Sequence, residues 1–440
     1  MSTAFTQFLA SSKQKYLNDI HTAPSRASEW TVVMGNEAGD LDTVASSIAY
    51  AYFCSTHGKT PSVPLLQVDR ADLSLRAENV YALSLAGITD PVSQLLCLSD
   101  IPLDINTPFP SNKFALVDHN KLDTRYSAPS AVVTAIIDHH ADENQHPTAN
   151  PRTVEHAGSC SSLVTRVLVG PTSEGGGAQF DIPEELATLL LCAILIDTSG
   201  LKPKGKALPV DIAAVFHLLP RSSLASSTKG DLPLSINDIH PPVQLQQEFH
   251  AIPSVQQLTA TLDSKKFDLS HMSAYDNLRR DYKEYTYEIP PAASQSNGMV
   301  EIKAGLSTVP LPLEAEWTAN EQLLKSATDW MTTRDTSILG VLTTFHSDKP
   351  KKNGKGKHKR EMAWFVRSSD SIDLDALSEK LFSGLEADQD LELKKHKFGI
   401  DVGDRHDLRV RVYKQKNVDV SRKEVAPLLQ RIMIVEGARS

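Results

Sequence analysis

Cysteine is scarce in this chain. Its 440 residues include four cysteines, Cys54, Cys97, Cys160 and Cys192, and no two form a CxxC pair. That excludes a disulfide scaffold and argues against a structural zinc site. Long apolar runs are missing as well. The longest, Leu189 to Ile196, falls far short of the roughly 20 residues that span a bilayer. The opening stretch MSTAFTQFLASSKQKYLNDI lacks a basic flank leading into an apolar block, so no secretory leader is expected and a cytoplasmic protein is. No internal repeat is visible. Positive charge is not in excess either: 45 Lys+Arg stand against 54 Asp+Glu, a net charge of −9, which disfavours a general nucleic-acid binder. What is present is 40% hydrophobic and 22% charged residues, enough to bury a core and too apolar for disorder throughout. At roughly 100–200 residues per domain, two or three domains are expected.

One segment reverses the charge balance. Residues 349–360, KPKKNGKGKHKR, hold seven Lys/Arg and no acid, which leaves 38 basic against 54 acidic residues, a net of −16, in the rest. A solvated loop accounts for such a run. An electrostatic collector for a polyanion is the functional alternative.

The apolar pattern divides the chain in two. Residues 31–34, 63–68, 114–117 and 132–137 are apolar almost throughout, as strands buried on both faces of a parallel sheet are. Helical patterns lie at 41–57, 161–169 and 184–196. The first 225 residues therefore predict an α/β domain with a doubly wound, mostly parallel sheet. A Ser- and Pro-rich stretch at 226–250 reads as a linker. Residues 251–440 read as an α+β domain, with helices over 254–285, strands at 300–306, 337–345, 362–366 and 408–413, a helix at 374–385, and the basic run as an insertion.

Four acid or imidazole clusters sit just past predicted strands or at a helix end. They are GNEAGDLD with Asp40 and Asp42, LVDHN with Asp118 and His119, IIDHH with Asp138, His139 and His140, and AILIDTSG with Asp197. In an open α/β sheet, ligands bind outside the carboxyl ends of the strands. Four aspartates in one cleft would repel one another without a cation. Carboxylates with imidazoles suit Mg²⁺, Mn²⁺ or Co²⁺ rather than a soft-thiolate metal. Two such ions are the usual apparatus for in-line attack on phosphorus. Taken singly, each cluster has a plainer explanation. A DxD is commonly a turn or helix cap, an HH pair a surface loop, and a helix-end aspartate a local hydrogen-bonding group.

These motifs, in order over residues 31–202 and with GSCSSLV among them, resemble the DHH phosphoesterase superfamily. RRDYKEY (279–285), GLSTVPLPL (305–313) and VSRKEVAPLL (420–429) resemble its DHH-associated domain. The branch is the one holding family II inorganic pyrophosphatases, prune-type proteins and fungal cytosolic exopolyphosphatases. The resemblance implies an active site in the cleft between two domains, with two divalent metal ions. Asp40 and Asp118 would hold one, and Asp42, Asp118, His139 and Asp197 the other. His140, Lys283, Arg422 and Lys423 would contact substrate phosphates, and His119 and Asp138 would orient ligands. Family II pyrophosphatases begin His-x-x-x-Asp-x-Asp; this chain has Asn36 at the first position, a weaker ligand or a supporting group. With that change and the retained His140, the resemblance implies a monomeric exopolyphosphatase acting on linear polyphosphate. A prune-like phosphodiesterase or short-chain pyrophosphatase, or a non-catalytic interaction protein, is the alternative.

Overall fold

In the computed structural model, the described residues are 3–102, 108–170, 180–226, 242–269, 272–289, 299–319, 321–347, 356–368 and 372–433. The chain divides into two compact units, Met1–Asp268 and Leu269–Ser440. Of the expected linker 226–250, residues 227–241 lie outside the described residues, and Pro242–Ala251 form a helix.

The first unit carries six strands: β1 Thr31–Met34, β2 Ser62–Leu66, β3 Leu96–Cys97, β4 Lys113–Val117, β5 Val132–Asp138 and β6 Arg152–Val154. They form one sheet of order β3-β2-β1-β4-β5-β6, and every pairing is parallel. The expected doubly wound sheet is therefore present, with β3 and β6 too short to stand out in the apolar pattern. Val33, Leu66, Ala115 and Val117 face one apolar core, which includes the helices Leu41–Thr56 and Glu184–Asp197. Val32, Met34, Leu65, Phe114 and Leu116 face the other, against Tyr16 of the helix Ala4–Thr22. Burial on both faces explains the uninterrupted apolar runs. The chain leaves β1 in one direction to build β2 and β3 and returns on its other side as β4. The crevice past β1 and β4 is thus the topological switch point. Both Asp40 and Asp118 lie just beyond these two strand ends.

The second unit is built on a mixed sheet of order β12-β13-β11-β9-β8-β7, with β10 paired to β11. Its strands are β7 Tyr282–Ile289, β8 Val300–Val309, β9 Ile338–Thr343, β10 Phe345–His346, β11 His358–Arg367, β12 Leu393–Lys395 and β13 Leu408–Gln415. The β8–β9 pair is parallel and the others are antiparallel. Leu339, Val341, Ala363 and Phe365 pack with the helices Ala274–Arg280 and Gln322–Arg334. Met362, Trp364 and Val366 pack with the helices Leu374–Ala387 and Arg422–Met433. One expectation needs correcting. The helices read over 254–285 end at Arg280, and YKEYTYEI (282–289) is strand β7. Tyr285, Tyr287 and Ile289 alternate at period two toward its end, and pairing along β8 favours the strand.

Candidate metal and phosphate site

Asp118 follows β4 in a left-handed backbone conformation, φ +60°. A β-carbon makes that conformation costly, so surrounding contacts must hold it. Asn36 supplies two of them. Its amide Nδ2 donates to the Asp118 backbone carbonyl at 3.0 Å and to Oδ2 at 2.7 Å, and the Thr43 hydroxyl donates to the same Oδ2 at 2.6 Å. Asn36 Oδ1 accepts from Ala38 N at 2.9 Å. Here Asn36 orients Asp118 and turns its oxygen back into its own loop. Arg76 and Asn79 tie that loop down by donating to the Ala38 and Gly39 carbonyls.

The other oxygen, Asp118 Oδ1, is buried and accepts no hydrogen bond. It lies 3.1 Å from His139 Nε2 and 3.6 Å from His140 Nδ1. His139 Nδ1 meets the Ala157 carbonyl at 3.0 Å. A carbonyl only accepts, so Nδ1 carries the proton and Nε2 of the neutral ring is an acceptor. Two acceptors facing each other at this distance require a cation or a proton between them. Ligands about 2.1 Å from one octahedral ion stand about 3.0 Å apart at right angles, which the pair matches. Among the described residues, Asp118, His139 and His140 form the group whose ligand atoms lie within 4.8 Å of one another. The donor set is oxygen and imidazole without thiolate, which suits a divalent ion such as Mn²⁺ rather than a soft-thiolate metal.

Asp42 lies in the first turn of the helix Leu41–Thr56 and crosses to a distant segment. Its Oδ1 accepts from Ser159 Oγ, Ser161 N and Ser161 Oγ, each at 2.7 Å, and its Oδ2 accepts from Cys160 N at 2.6 Å. The carboxylate thus crowns the N-terminus of the helix Cys160–Val169, where free N–H groups and the helix dipole favour negative charge. Oδ2 lies 4.0 Å from His139 Nε2 and, carrying a single donor, is the oxygen with room for a cation as well. Asp40 is the N-cap of its helix, accepting from Thr43 N at 3.0 Å. Capping occupies one oxygen, so the plain cap role and a ligand role are compatible there. Asp197 closes the helix Glu184–Asp197 within the field of Asp42 and Asp40.

Asp138 ends β5 and organises the histidine pair. Its Oδ1 accepts from the backbone N of His139 and of His140 and from His140 Nδ1 at 2.8 Å, while Asn120 donates to Oδ2 at 2.6 Å. His119 turns to its own strand, with Nδ1 3.0 Å from the Val117 carbonyl. The remaining expected residues belong to the second unit. Arg422, the first residue of its helix, pairs with Asp281 Oδ1 at 2.8 Å and donates to the Asp281 carbonyl at 3.0 Å. Lys423 is exposed beside it, and Lys283 lies on β7.

Electrostatics mark the cluster as built for positive charge. Burial first, then the charge of Asp118, pushes Asp42 up to about 6, against the pull of His139. Burial and the charges of Asp42 and Asp40 push Asp197 well above the usual carboxylate range. Burial pushes Asp118 upward too, but when a proton on His139 Nε2 takes the place of the cation, its contact with Asp118 and the positive charges of His140 and His139 hold Asp118 below that range. Asp138 is held low against burial in the same way, by His140. A measurable consequence follows. Without metal, folded Asp42 and Asp197 keep protons that the unfolded chain releases near pH 4. Both stabilise the fold at low pH; the share from Asp42 is lost as pH rises through about 6, and that from Asp197 as pH rises through its own raised value. Asp118 and Asp138 are ionised in both states over that window. The melting temperature in EDTA should therefore fall from about pH 4.5 to about pH 6.5, and the rise on adding Mn²⁺ should be larger at about pH 7 than at about pH 5. An equal metal-induced rise at both would refute Asp42 as part of the cation site.

Sequence reasoning did not assign Thr43, Asn120, Ser159, Ser161 or Asp211. GSCSSLV was visible as a motif without a role. Asp211 is buried and fastens that motif, accepting from Gly158 N, Ser159 N, Ser162 Oγ and Leu208 N at 2.6–3.3 Å.

The fold and site define a class. Residues 30–194 match the DHH family N-terminal domain and residues 260–432 match the DHHA2 domain. The chain belongs to the DHH family, in the branch that carries DHHA2. A Schizosaccharomyces pombe protein named "Putative exopolyphosphatase" is 29% identical over 435 residues, covering 96% of each chain. "Exopolyphosphatase PRUNE1" of Homo sapiens is 26% identical over 420 residues, covering 95% of this chain and 78% of its own. The crystal structure titled "Methanococcus jannaschii putative family II inorganic pyrophosphatase" superposes with a TM-score of 0.53 at 18% identity, covering 92% of this chain and 99% of that one. That last likeness establishes the shared fold.

Proposed function

We propose that this protein is a metal-dependent exopolyphosphatase that hydrolyses terminal orthophosphate from linear inorganic polyphosphate. The observation that carries the reading is the pair of facing acceptors, Asp118 Oδ1 and His139 Nε2, at the switch point of a DHH domain. The names of the two full-length sequence relatives support the choice of polyphosphate. Asp40, Asp42, Asp118, His139 and Asp197 would hold two divalent ions, Mg²⁺ or Mn²⁺, with Co²⁺ also suited to the donors. Bound there, such ions acidify a water molecule and neutralise phosphate charge during in-line attack.

The protein's own groups do the positioning. Asn36 and Thr43 fix the Asp118 carboxylate. The Ala157 carbonyl holds a His139 proton on Nδ1, which leaves Nε2 as the acceptor that faces Asp118. Asp138 holds a proton on His140 Nδ1, so a protonated His140 can donate from Nε2 to a phosphate oxygen. Lys283, Arg422 and Lys423 would supply positive charge to the substrate phosphates. Arg422 must share its guanidinium with Asp281 to do so. We place the protein in the cytoplasm, as a monomer; among the described residues, no helix is long and apolar enough to cross a membrane.

The test is phosphate release from long-chain polyphosphate, pyrophosphate and cyclic AMP, each with Mg²⁺, Mn²⁺ or EDTA. Orthophosphate released from polyphosphate ends, and abolished by EDTA, is the expected result. Turnover of pyrophosphate or cyclic AMP alone would move the assignment to the pyrophosphatase or phosphodiesterase reading. No turnover by folded, metal-loaded protein would leave a non-catalytic interaction protein.

A further inference from the structure

The register of β11, β12 and β13 brings like charges together at one end of the second sheet. Lys394 on β12 is directly opposite Lys414 on β13. On its other side Lys414 is directly opposite Glu361 of β11. Glu361 would be the natural partner, but its carboxylate is turned inward. Oε2 accepts from Leu313 N at 2.9 Å and Oε1 lies 3.0 Å from His396 Nε2. Lys416 follows two residues after Lys414, on the same face. Lys359 precedes Arg360, which is directly opposite Gln415, the residue before Lys416. All four lysines are exposed, and none pairs with a carboxylate among the described residues. Glu392, whose carbonyl accepts from Lys416 N, makes no such pair either. Lys416 lies close enough to Lys394 to hold its ammonium below the usual lysine range, by direct contact first and repulsion second.

Like charges directly across a sheet are destabilising. Lysines on an edge strand do guard against edge-to-edge pairing, and that accounts for Lys394 on β12. It does not account for Lys414 on β13, which is flanked on both sides, or for Lys359 on β11. With strands about 4.8 Å apart, the four ammoniums make a stripe running across three strands. A linear anion laid across the strands would meet them in succession. Aromatic stacking surfaces, which single-stranded nucleic acids use, are missing from this set of side chains.

We propose that Lys359, Lys394, Lys414 and Lys416 form a polyanion-binding stripe, and that its ligand is long-chain inorganic polyphosphate. The choice of ligand rests on the function proposed above; the stripe does not. It takes hold of chain beyond the segment being hydrolysed, so a chain too short to engage it gains nothing. The residues that test it lie outside the basic run 349–360.

The test uses the full-length protein with Lys394, Lys414 and Lys416 all replaced by glutamine. Binding of long-chain polyphosphate is measured in EDTA over a range of salt, and turnover of tripolyphosphate is measured with metal. Long-chain affinity should fall by about tenfold or more, and the slope of log affinity against log salt should fall by about 2–3. Turnover of tripolyphosphate should stay within about twofold, and the melting temperature should hold or rise, because repulsion is relieved. Unchanged long-chain affinity, or an equal loss for both substrates, would overturn the stripe. Equal affinity for single-stranded RNA, lost equally in the variant, would overturn polyphosphate as its ligand. Patch-dependent binding by a protein that releases no phosphate would support the stripe and overturn the exopolyphosphatase reading alone.

Discussion

Asp118→Ala is expected to lower turnover by at least about 10³-fold while the protein remains folded. The side chain sits where two strand ends meet, and every neighbouring contact serves to aim it. Asn36 and Thr43 hold one oxygen, and the other faces His139 Nε2 without a hydrogen-bond donor. Removing it deletes the oxygen that both histidines of the DHH motif approach, at 3.1 and 3.6 Å. The fold should tolerate the change, because alanine also removes a buried charge. Binding of Mn²⁺, followed by calorimetry, should weaken in parallel, which separates a ligand from a group that merely positions substrate. Asp118→Asn is the sharper control: it keeps the shape and the Thr43 contact and removes the charge. Near-wild-type turnover and Mn²⁺ affinity in folded Asp118→Ala protein would refute the assignment of this aspartate as the centre of the site.

Asp211→Ala is expected to cost about 3–5 kcal/mol of stability and to lower turnover about 10–100-fold in the protein that remains folded. This residue touches none of the candidate ligands. It accepts four hydrogen bonds from Gly158, Ser159, Ser162 and Leu208, and it is fully buried. Loss of the carboxylate strands four donors at once, those of Ser159 and Ser162 on buried residues. It also frees Ser159, whose hydroxyl is one of the donors that fix Asp42. The same strap explains Gly158. A β-carbon there would stand 2.7 Å from Asp211 Oδ2 and 2.8 Å from Thr198 Cγ2, too close for either atom to accept. Urea unfolding midpoints would measure the stability change, and metal affinity at low temperature would measure the effect on the site. A loss below about 1 kcal/mol would show that the strap is replaceable.

Much of the first unit was legible because its signals are local. A parallel sheet covered on both faces demands continuous apolar runs, and 31–34, 114–117 and 132–137 are such runs. Acids that follow them immediately are delivered to the same side of the sheet by the parallel order alone. The short strands Leu96–Cys97 and Arg152–Val154 carry too few residues to show a pattern. They are strands only because a neighbour is present to pair with. The charged segment up to Tyr285 reads as helix, whereas the alternation of Tyr285, Tyr287 and Ile289 becomes decisive only beside β8.

The candidate site divides along the same line. Sequence was enough to name the chemistry: four aspartates and two histidines past strand ends, in a number that demands a cation. Tertiary structure decided how each is used. The donors on Asp42 come from residues 117–119 positions away. Asp118 takes a left-handed backbone conformation that Asn36, 82 positions earlier, holds in place. Lys414 lost its cross-strand partner when Glu361 turned to His396. Residue type and short-range order are written locally, so they can be read from the chain. Hydrogen-bond partners, the tautomer of His139 and the meeting of unpaired lysines depend on loop closures over tens to hundreds of residues, and only the folded chain decides them.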